Sequence, residues 1–230
     1  MTYGTFEAKL AEILEDFESS LPGNVKLAYL PSSGVIKLRL TGTGKDKINL
    51  LEEIEIQVNK LYKLIRDFIY GENEESLEMV IGKLLTSKGQ SVCTAESCTG
   101  GKIAHLITSI PGSSAYFKGS VIAYDNSVKS GLLGVPEEII NNHGAVSKET
   151  VEMVAIGARK LFKTDFAVAT SGIAGPDGGT SEKPVGTVWI GVSSRDGTVV
   201  EKQTFGNERV INIRRFSFAA LNLLRKQIIS

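Results

Sequence analysis

The sequence has few of the residues that most often bind metals or form disulfides. It holds two cysteines, Cys93 and Cys98, and two histidines among 230 residues. Two cysteines in a chain of this length do not make a disulfide framework. No cluster of histidine, cysteine and acidic residues shows the spacing of a metal site. These absences predict a protein with reduced thiols and no metal or other cofactor.

Net charge and long apolar runs are also absent. Lysine and arginine total 26, and so do aspartate and glutamate. A balanced charge argues against nucleic acid as a partner, because nucleic-acid binding needs a basic surface, although a local patch is compatible with it. No stretch approaches the roughly 18 consecutive apolar residues of a membrane helix, and the polar start is unlike a signal peptide. The simplest expectation is a cytoplasmic protein without a membrane partner.

The first seventy residues predict a small α+β domain with the order helix, strand, strand, helix. Strands are predicted over 25–30 and 35–40, between two amphipathic helices. The second helix carries one apolar stripe, made of Leu51, Ile54, Val58, Leu61, Ile65 and Phe68. The order is KH-like, but KH domains bind RNA through a Gly-x-x-Gly loop between helices, which this segment lacks. We therefore interpret it as a structural or dimerisation unit, and a homodimer is the protein partner that we consider.

An acidic, polar stretch over 71–75 is the natural linker, so we predict domains over 1–72 and 73–230. In the second domain, strands separated by helices and a closing hairpin predict an α/β/α sandwich with a mixed sheet. With 42% hydrophobic residues, the chain has enough apolar material for both cores. In such sheets, ligands bind at the carboxyl ends of the strands.

The segment Thr94-Ala-Glu-Ser-Cys-Thr-Gly-Gly101 connects a predicted strand to a predicted helix. A turn of this kind directs backbone N–H groups outward and can bind an anion or an oxyanion. The same residues also fit an ordinary strand–helix turn, in which Thr99 caps the helix and the glycines allow tight packing. The segment alone does not distinguish these two interpretations.

Two further segments follow predicted strands in the second domain. The first contains Tyr124, Asn126 and Lys129. The second is the loop 171–186, which holds five glycines and two prolines. Ordered loops of this length are uncommon in compact domains and are often functional. We expect both segments to lie with the Thr94–Gly101 turn at one edge of the sheet.

Together these three stretches resemble the C-terminal domain of the CinA (competence/damage-inducible) family, whose members are nicotinamide mononucleotide deamidases. The resemblance covers roughly residues 74 to 228, and three separated motifs in the right order make it specific. The first seventy residues are similar to the KH-type linking domain of full-length CinA proteins. Those proteins also carry an N-terminal domain with nucleotide pyrophosphatase activity. This sequence lacks that domain, so we expect neither the pyrophosphatase activity nor its metal requirement.

The resemblance implies hydrolysis of the carboxamide of nicotinamide mononucleotide to nicotinate mononucleotide and ammonia, a step of pyridine nucleotide salvage. It points to Ser97 as nucleophile and to Lys129 as the base, with Tyr124 beside it. Lys129 must then be neutral, so its pKa must be lowered by burial or by a nearby cation. The alternatives are that Lys129 is a solvated helix residue, that Tyr124 is a core aromatic, and that His143 is the base.

The substrate would contact residues of all three segments. The N–H groups of Thr99, Gly100 and Gly101 are candidates for the oxyanion, and Glu96 would orient Lys129 or cap the turn. Arg209 is our candidate for the 5′-phosphate, because a guanidinium matches phosphate geometry; Arg214 and Arg215 are rivals, and a surface salt bridge is its simpler role. Lys183 is a second candidate for the phosphate. The remaining substrate-binding candidates are Asn126, Ser171, Gly172, Gly175 and Pro176. The competing hypothesis is a non-catalytic pyridine-nucleotide-binding module that acts through protein partners.

Overall fold

Contacts within the computed structural model, which describes residues 1–32 and 34–230, divide the chain into two units, Met1–Ser76 and Leu77–Ser230. The elements of the first unit are β1 (Thr2–Tyr3), α1 (Glu7–Ser19), β2 (Val25–Ser32), β3 (Val35–Gly42) and α2 (Lys47–Ile65). Its three strands form an antiparallel sheet in the order β1-β3-β2.

The predicted order of helix, strand, strand and helix in the first unit is confirmed, with the two-residue strand β1 added before it. The core of this unit contains buried residues of both helices and of β3, namely Leu10, Leu14, Phe17, Ile36, Leu61 and Ile65. The predicted stripe of α2 is buried only in its C-terminal part, since Leu51 is 56% exposed. Periodicity therefore identified the helix but overestimated the length of its buried face.

The second unit alternates strands and helices, as predicted. Its elements are α3 (Leu77–Lys88), β4 (Val92–Glu96), α4 (Lys102–Thr108), β5 (Phe117–Ile122), α5 (Asn126–Gly131), α6 (Glu137–His143), α7 (Lys148–Phe162), β6 (Phe166–Gly172), β7 (Thr187–Ser194), β8 (Gly197–Thr204) and α8 (Arg209–Ile229). Ser147 caps α7, accepting the Thr150 N–H at 3.2 Å. Among the described residues, no helix is both long and apolar enough to cross a membrane.

The sheet of the second unit is mixed, and its strand order is β5-β4-β6-β7-β8. Strand β4 runs parallel to both of its neighbours, whereas β7 runs antiparallel to both of its own. Helix α7 packs on small side chains of β4 and β6, including Ala95, Ala167 and Ala169. Helix α8 contacts β6 and β7 and also packs on α3 and α4. The unit is the α/β/α sandwich that the sequence predicts.

One edge of this sheet collects the segments that carry the candidate residues. Strands β4, β5 and β6 all end at this edge, because they are parallel. Strand β7 begins there and β8 ends there, since the closing hairpin is antiparallel. Helix α8 follows β8 after a short connection, so its first turn lies at the same edge. The sheet therefore places the Thr94–Gly101 turn, the 123–129 segment, the 173–186 loop and the start of α8 together.

Candidate active site

Glu96, the last residue of β4, is fully buried and caps helix α4. Its carboxylate accepts the backbone N–H groups of Gly101, Ile103 and Ala104 at 3.0, 3.0 and 2.8 Å. These bonds satisfy donors that the first turn of a helix would otherwise leave without partners. Of the two roles considered for Glu96, the structure therefore shows the cap, and its carboxylate does not orient Lys129.

The N–H groups of the turn are less available than the sequence predicts. The Gly100 N–H donates to the Ser97 carbonyl at 3.1 Å, and the Gly101 N–H is held by the capping carboxylate. Both N–H groups already donate hydrogen bonds within the turn, so their binding of an oxyanion stays a prediction that requires these bonds to be shared or broken. In the part of the chain that the structure describes, no hydrogen bond occupies the Thr99 N–H. The Thr99 N–H is therefore the one donor of the three predicted that is open to an oxyanion, and its role there stays a prediction.

Ser97 is the more accessible residue of a turn that is hydrogen-bonded to β6. Its N–H donates to the Thr170 carbonyl at 3.1 Å, and the Thr99 hydroxyl bonds the Thr170 hydroxyl at 2.8 Å. Ser97 is half-buried, whereas Cys98 and Thr99 are buried. The turn therefore presents Ser97 on a rigid support while it hides the neighbouring thiol.

Lys129 is buried, with 1% of its surface exposed, so it is not the solvated helix residue of the alternative interpretation. Its Nζ donates to the carbonyls of Tyr124 and Asp125 at 3.1 and 3.5 Å and to Asn126 Oδ1 at 3.3 Å. Burial lowers the pKa of Lys129, and the Asp125 carboxylate and the Cys98 thiol partly oppose this effect. The direction of the shift favours the neutral amine that a base needs.

The Lys129 amine interacts electrostatically with Cys98, the residue that follows Ser97 in the turn. Within the described residues, no hydrogen bond joins Lys129 to Ser97. The rival base, His143, has a half-exposed imidazole that lies 3.8 Å from the Glu149 carboxylate. Lysine therefore remains the candidate base.

Tyr124 and Arg209 meet at the open side of the edge. Arg209 Nη2 donates to the Tyr124 hydroxyl at 3.3 Å, and its Nη1 donates to the Gly175 carbonyl at 2.9 Å. Tyr124 is 62% exposed and is not a core aromatic. In the described part of the chain, the guanidinium of Arg209 forms no ion pair, contrary to its simpler interpretation. One side chain thus connects the 123–129 segment, the glycine-rich loop and α8.

The 173–186 loop is anchored at its base and open at its tip. The Ile173 N–H donates to the Thr187 carbonyl and the Gly186 N–H to the Ile173 carbonyl, both at 2.8 Å. The tip borders a pocket of about 630 Å³. The residues that line it are Pro176, Asp177, Gly178, Gly179, Thr180, Ser181, Pro184, Val185 and Asn207. Over the described residues, no group of three or more His, Cys, Asp or Glu side chains could hold a metal ion.

Three predicted substrate-binding residues have structural partners instead. The buried Ser171 hydroxyl donates to the Ala145 carbonyl at 2.7 Å. Gly172 lies so close to β7 that an added Cβ would fall 2.5 Å from a backbone oxygen. Lys183 Nζ donates to the His143 carbonyl at 3.0 Å, at the C-terminus of α6. These contacts show that the three residues hold the loop and its neighbours in place, and their contact with a substrate stays a prediction.

Sequence reasoning missed Asn212, which is fully buried in the first turn of α8. Its Nδ2 donates to the carbonyls of Ala174 and Gly206 at 3.0 and 2.8 Å. Asn212 precedes Phe216 by four residues on the buried face of the helix, so a polar residue within an apolar stripe was the available signal. It connects the loop to the segment that precedes α8.

The chain matches the CinA C-terminal domain over residues 74–228 and the damage-inducible protein CinA KH domain over residues 1–71. The chain belongs to the CinA family. This confirms the resemblance found in the sequence. A CinA-like protein of Cytophaga hutchinsonii is 48% identical over 227 residues, which cover 99% of this chain and 54% of that protein. A CinA-like protein of Flavobacterium psychrophilum is 47% identical over 230 residues, which cover 100% of this chain and 55% of that protein. The chain spans about half the length of these curated relatives.

Solved CinA structures share the fold. The competence/damage inducible protein CihA from Agrobacterium tumefaciens is 38% identical and covers 70% of this chain and 99% of its own, with a TM-score of 0.65. The competence damage-inducible protein A (ComA) from Klebsiella pneumoniae is 30% identical. The match covers 66% of this chain and 95% of that protein, also with a TM-score of 0.65. The α/β sandwich is therefore the fold of known CinA proteins.

Proposed function

We propose that this CinA-family chain hydrolyses the carboxamide of nicotinamide mononucleotide to nicotinate mononucleotide and ammonia, for pyridine nucleotide salvage. The observation that carries the proposal is Lys129, a buried amine with a lowered pKa that interacts electrostatically with Cys98, the neighbour of Ser97 in the turn. Hydrolysis of an amide at neutral pH requires an activated nucleophile and a donor for the oxyanion. Thr99 offers that donor in the same turn.

In the proposed reaction, the neutral amine of Lys129 takes the proton of Ser97 Oγ while this oxygen attacks the carboxamide carbon. The Thr99 N–H donates to the oxyanion of the tetrahedral intermediate. Collapse of the intermediate breaks the carbon–nitrogen bond, and the leaving amide nitrogen takes the proton from Lys129 to depart as ammonia. A water molecule, activated by the same amine, then hydrolyses the ester on Ser97 and yields the carboxylate product. Direct attack by water is the variant of this scheme without an ester.

The opposite end of the substrate carries a phosphate, and Arg209 is the cation at the open side of the edge. Its guanidinium is oriented by Gly175 and Tyr124. A planar guanidinium can bind phosphate oxygens through two parallel N–H donors. Gly175 and Pro176 would wall the site, and Asn126 would border it next to Lys129. The adjoining pocket of about 630 Å³ has the size of a small-molecule site.

The test is an assay of ammonia release from nicotinamide mononucleotide, with and without a chelator. We expect release that the chelator does not change and that Ser97→Ala and Lys129→Ala abolish, while circular dichroism shows an intact fold. Lys118→Ala, which removes an exposed lysine of β5, is the matched control and should keep full activity. Full activity of Ser97→Ala would overturn the nucleophile assignment and leave direct attack by water.

A second candidate function is a pyridine-nucleotide-binding module that turns nothing over and acts through protein partners. The observation that favours it is that three acceptors, the carbonyls of Tyr124 and Asp125 and the Asn126 Oδ1, already accept hydrogen bonds from the Lys129 amine. Tight binding of nicotinamide mononucleotide by the unmutated protein, without release of ammonia, would select this function over the first.

We propose that residues 1–72 form a KH-type linking domain and residues 73–230 the deamidase domain of a cytoplasmic protein. The two family matches, over 1–71 and 74–228, support this division. We further propose a homodimer in solution. Sedimentation equilibrium of the full chain tests the dimer, and a single species with the 24.8 kDa mass of one chain would contradict it.

A further inference from the structure

Asn212 occupies an unusual position, because it is a fully buried polar side chain at the edge that holds the candidate site. Its Nδ2 donates to two backbone carbonyls from different segments, Ala174 at 3.0 Å and Gly206 at 2.8 Å. Its Oδ1 is also buried and has no partner among the described residues. A buried oxygen without a donor destabilises the folded state. The chain keeps this amide despite that cost, which indicates a role for its two donors.

The two carbonyls that Asn212 holds lie on either side of the Arg209 contact. Ala174 immediately precedes Gly175, whose carbonyl accepts from Arg209 at 2.9 Å. Gly206 belongs to the connection from β8 to α8, which leads directly to Arg209. The Asn212 N–H also donates to the Glu208 carbonyl at 2.8 Å, within the first turn of α8. One amide thus fixes both the acceptor of the guanidinium and the backbone that carries the guanidinium.

We infer that Asn212 is a positioning residue, which sets the location of Arg209 for the phosphate end of the substrate. The inference rests on the proposed function, in which Arg209 binds that phosphate. An interaction remote from the reacting bond binds substrate and transition state alike, so its loss raises KM and leaves kcat nearly unchanged. Substitution of Asn212 should therefore change KM. The change should occur only when the substrate carries its phosphate and the protein carries Arg209.

The primary variant is Asn212→Leu, which keeps a side chain of similar size and removes both donors. The matched control is Asn222→Leu on the same helix, since Asn222 is also buried and accepts from Arg225 at 3.1 Å. We expect Asn212→Leu to raise KM for nicotinamide mononucleotide about tenfold and to leave kcat within about twofold. The corresponding nucleoside, without phosphate, should show no change. The control should retain the KM of the unmutated protein.

A double-mutant cycle with Arg209→Ala separates positioning from general loss of structure. We expect Asn212→Leu to have little further effect on KM once Arg209 has been removed. An equal rise of KM in both backgrounds would overturn the inference. A fall of kcat with unchanged KM would also overturn it.

Hydrogen exchange of the loop supplies a readout that needs no substrate. The Ile173 and Gly186 N–H groups hold the base of the loop, and we expect Asn212→Leu to speed their exchange at least about tenfold relative to Asn222→Leu. Unchanged exchange would show that Asn212 does not hold the loop in place, and it would overturn the inference. If the unmutated protein released no ammonia, the proposed function would fail visibly. Faster exchange in the variant would then assign Asn212 a purely structural role and overturn its role toward the substrate.

Discussion

The Arg209 guanidinium donates to the Tyr124 hydroxyl at 3.3 Å, although 85 residues separate the two in sequence. Tyr124 follows β5 and Arg209 opens α8, so the contact exists only because both elements meet at one edge of the sheet. Since the tyrosine oxygen accepts this bond, it orients the guanidinium while it leaves the second N–H donor of Nη2 open to a ligand. The pair forms one side of the candidate site.

We predict that Tyr124→Phe raises KM for nicotinamide mononucleotide by about three- to tenfold with little change of kcat, because it removes one hydrogen bond of about 1 kcal/mol from Arg209. Steady-state ammonia release measures both constants. Tyr116→Phe is the matched control, since the buried Tyr116 hydroxyl has no partner among the described residues. A fall of kcat by orders of magnitude in Tyr124→Phe would instead indicate a proton relay through this hydroxyl.

The lowered pKa of Lys129 predicts a specific pH dependence of stability. Between its lowered pKa and the ordinary value of about 10.5, the unfolded chain binds more protons at this residue than the folded protein does. The free energy of unfolding should therefore rise with pH across this window, and Lys129→Met should abolish that rise. Urea unfolding at several pH values measures it, with the exposed Lys118→Met as control. Parallel curves for the unmutated protein and Lys129→Met would contradict the prediction.

In the proposed reaction, the same pKa should govern activity. If neutral Lys129 is the base, kcat/KM should rise about tenfold per pH unit up to the lowered pKa and then level off. A pH–rate profile of ammonia release checks this. A profile that shows no rise with pH at any pH at which the protein stays folded would indicate a different base.

Both thiols should be unreactive in the folded protein. Burial raises the pKa of Cys93 to about 11 and that of Cys98 to about 12, so neither is a thiolate at neutral pH. We expect alkylation by iodoacetamide at pH 7.5 to be at least about 100-fold slower in the native protein than in denaturant. Rapid native modification of Cys98 with loss of activity would make that thiol, and not Ser97, the candidate nucleophile.

Glu96→Gln should destabilise the second unit by about 2 kcal/mol, because a charged acceptor of three backbone N–H groups becomes an amide whose NH₂ opposes them. The difference in the free energy of urea unfolding measures the loss. Glu138→Gln, at an exposed position in the first turn of α6, should change it by less than about 0.5 kcal/mol. Equal effects of the two variants would show that the cap contributes no more than an exposed charge.

Sequence reasoning could locate the candidate site but could not predict which side chains and backbone groups contact each other within it. The ends of parallel strands share an edge, so the Ser97 turn and the 123–129 segment could be placed together before any coordinates. The burial of Lys129 could not be predicted, since a lysine in a short helix has the same local pattern whether it is solvated or enclosed. The hydrogen bond from Lys183 to the His143 carbonyl spans 40 residues, and no local spacing encodes it.

Errors in the fold have a similar origin. The stripe of α2 has regular periodicity from Leu51 to Ile65, yet only its end is covered, because burial depends on where the sheet stops and not on the helix itself. Strand β5 ends at Ile122, and Asp125 then caps the short helix α5 by accepting the Ser127 N–H at 2.8 Å. A short helix without an apolar stripe leaves no periodic signal.

Strand β6 is parallel to β4 and antiparallel to β7, so the sheet combines strands from the whole length of the second unit. The order in which these strands and α8 are synthesised therefore decides when the candidate site is complete. The site draws on residues from Ser97 to Asn212, which is most of the second unit. A nascent chain that has already folded β4, β5 and β6 would hold the proposed nucleophile and the proposed base but not the Arg209 guanidinium. Because synthesis proceeds from the N-terminus, α8 supplies that group only after all five strands of the sheet have been made. The proposed activity therefore depends on the last element of the unit to leave the ribosome.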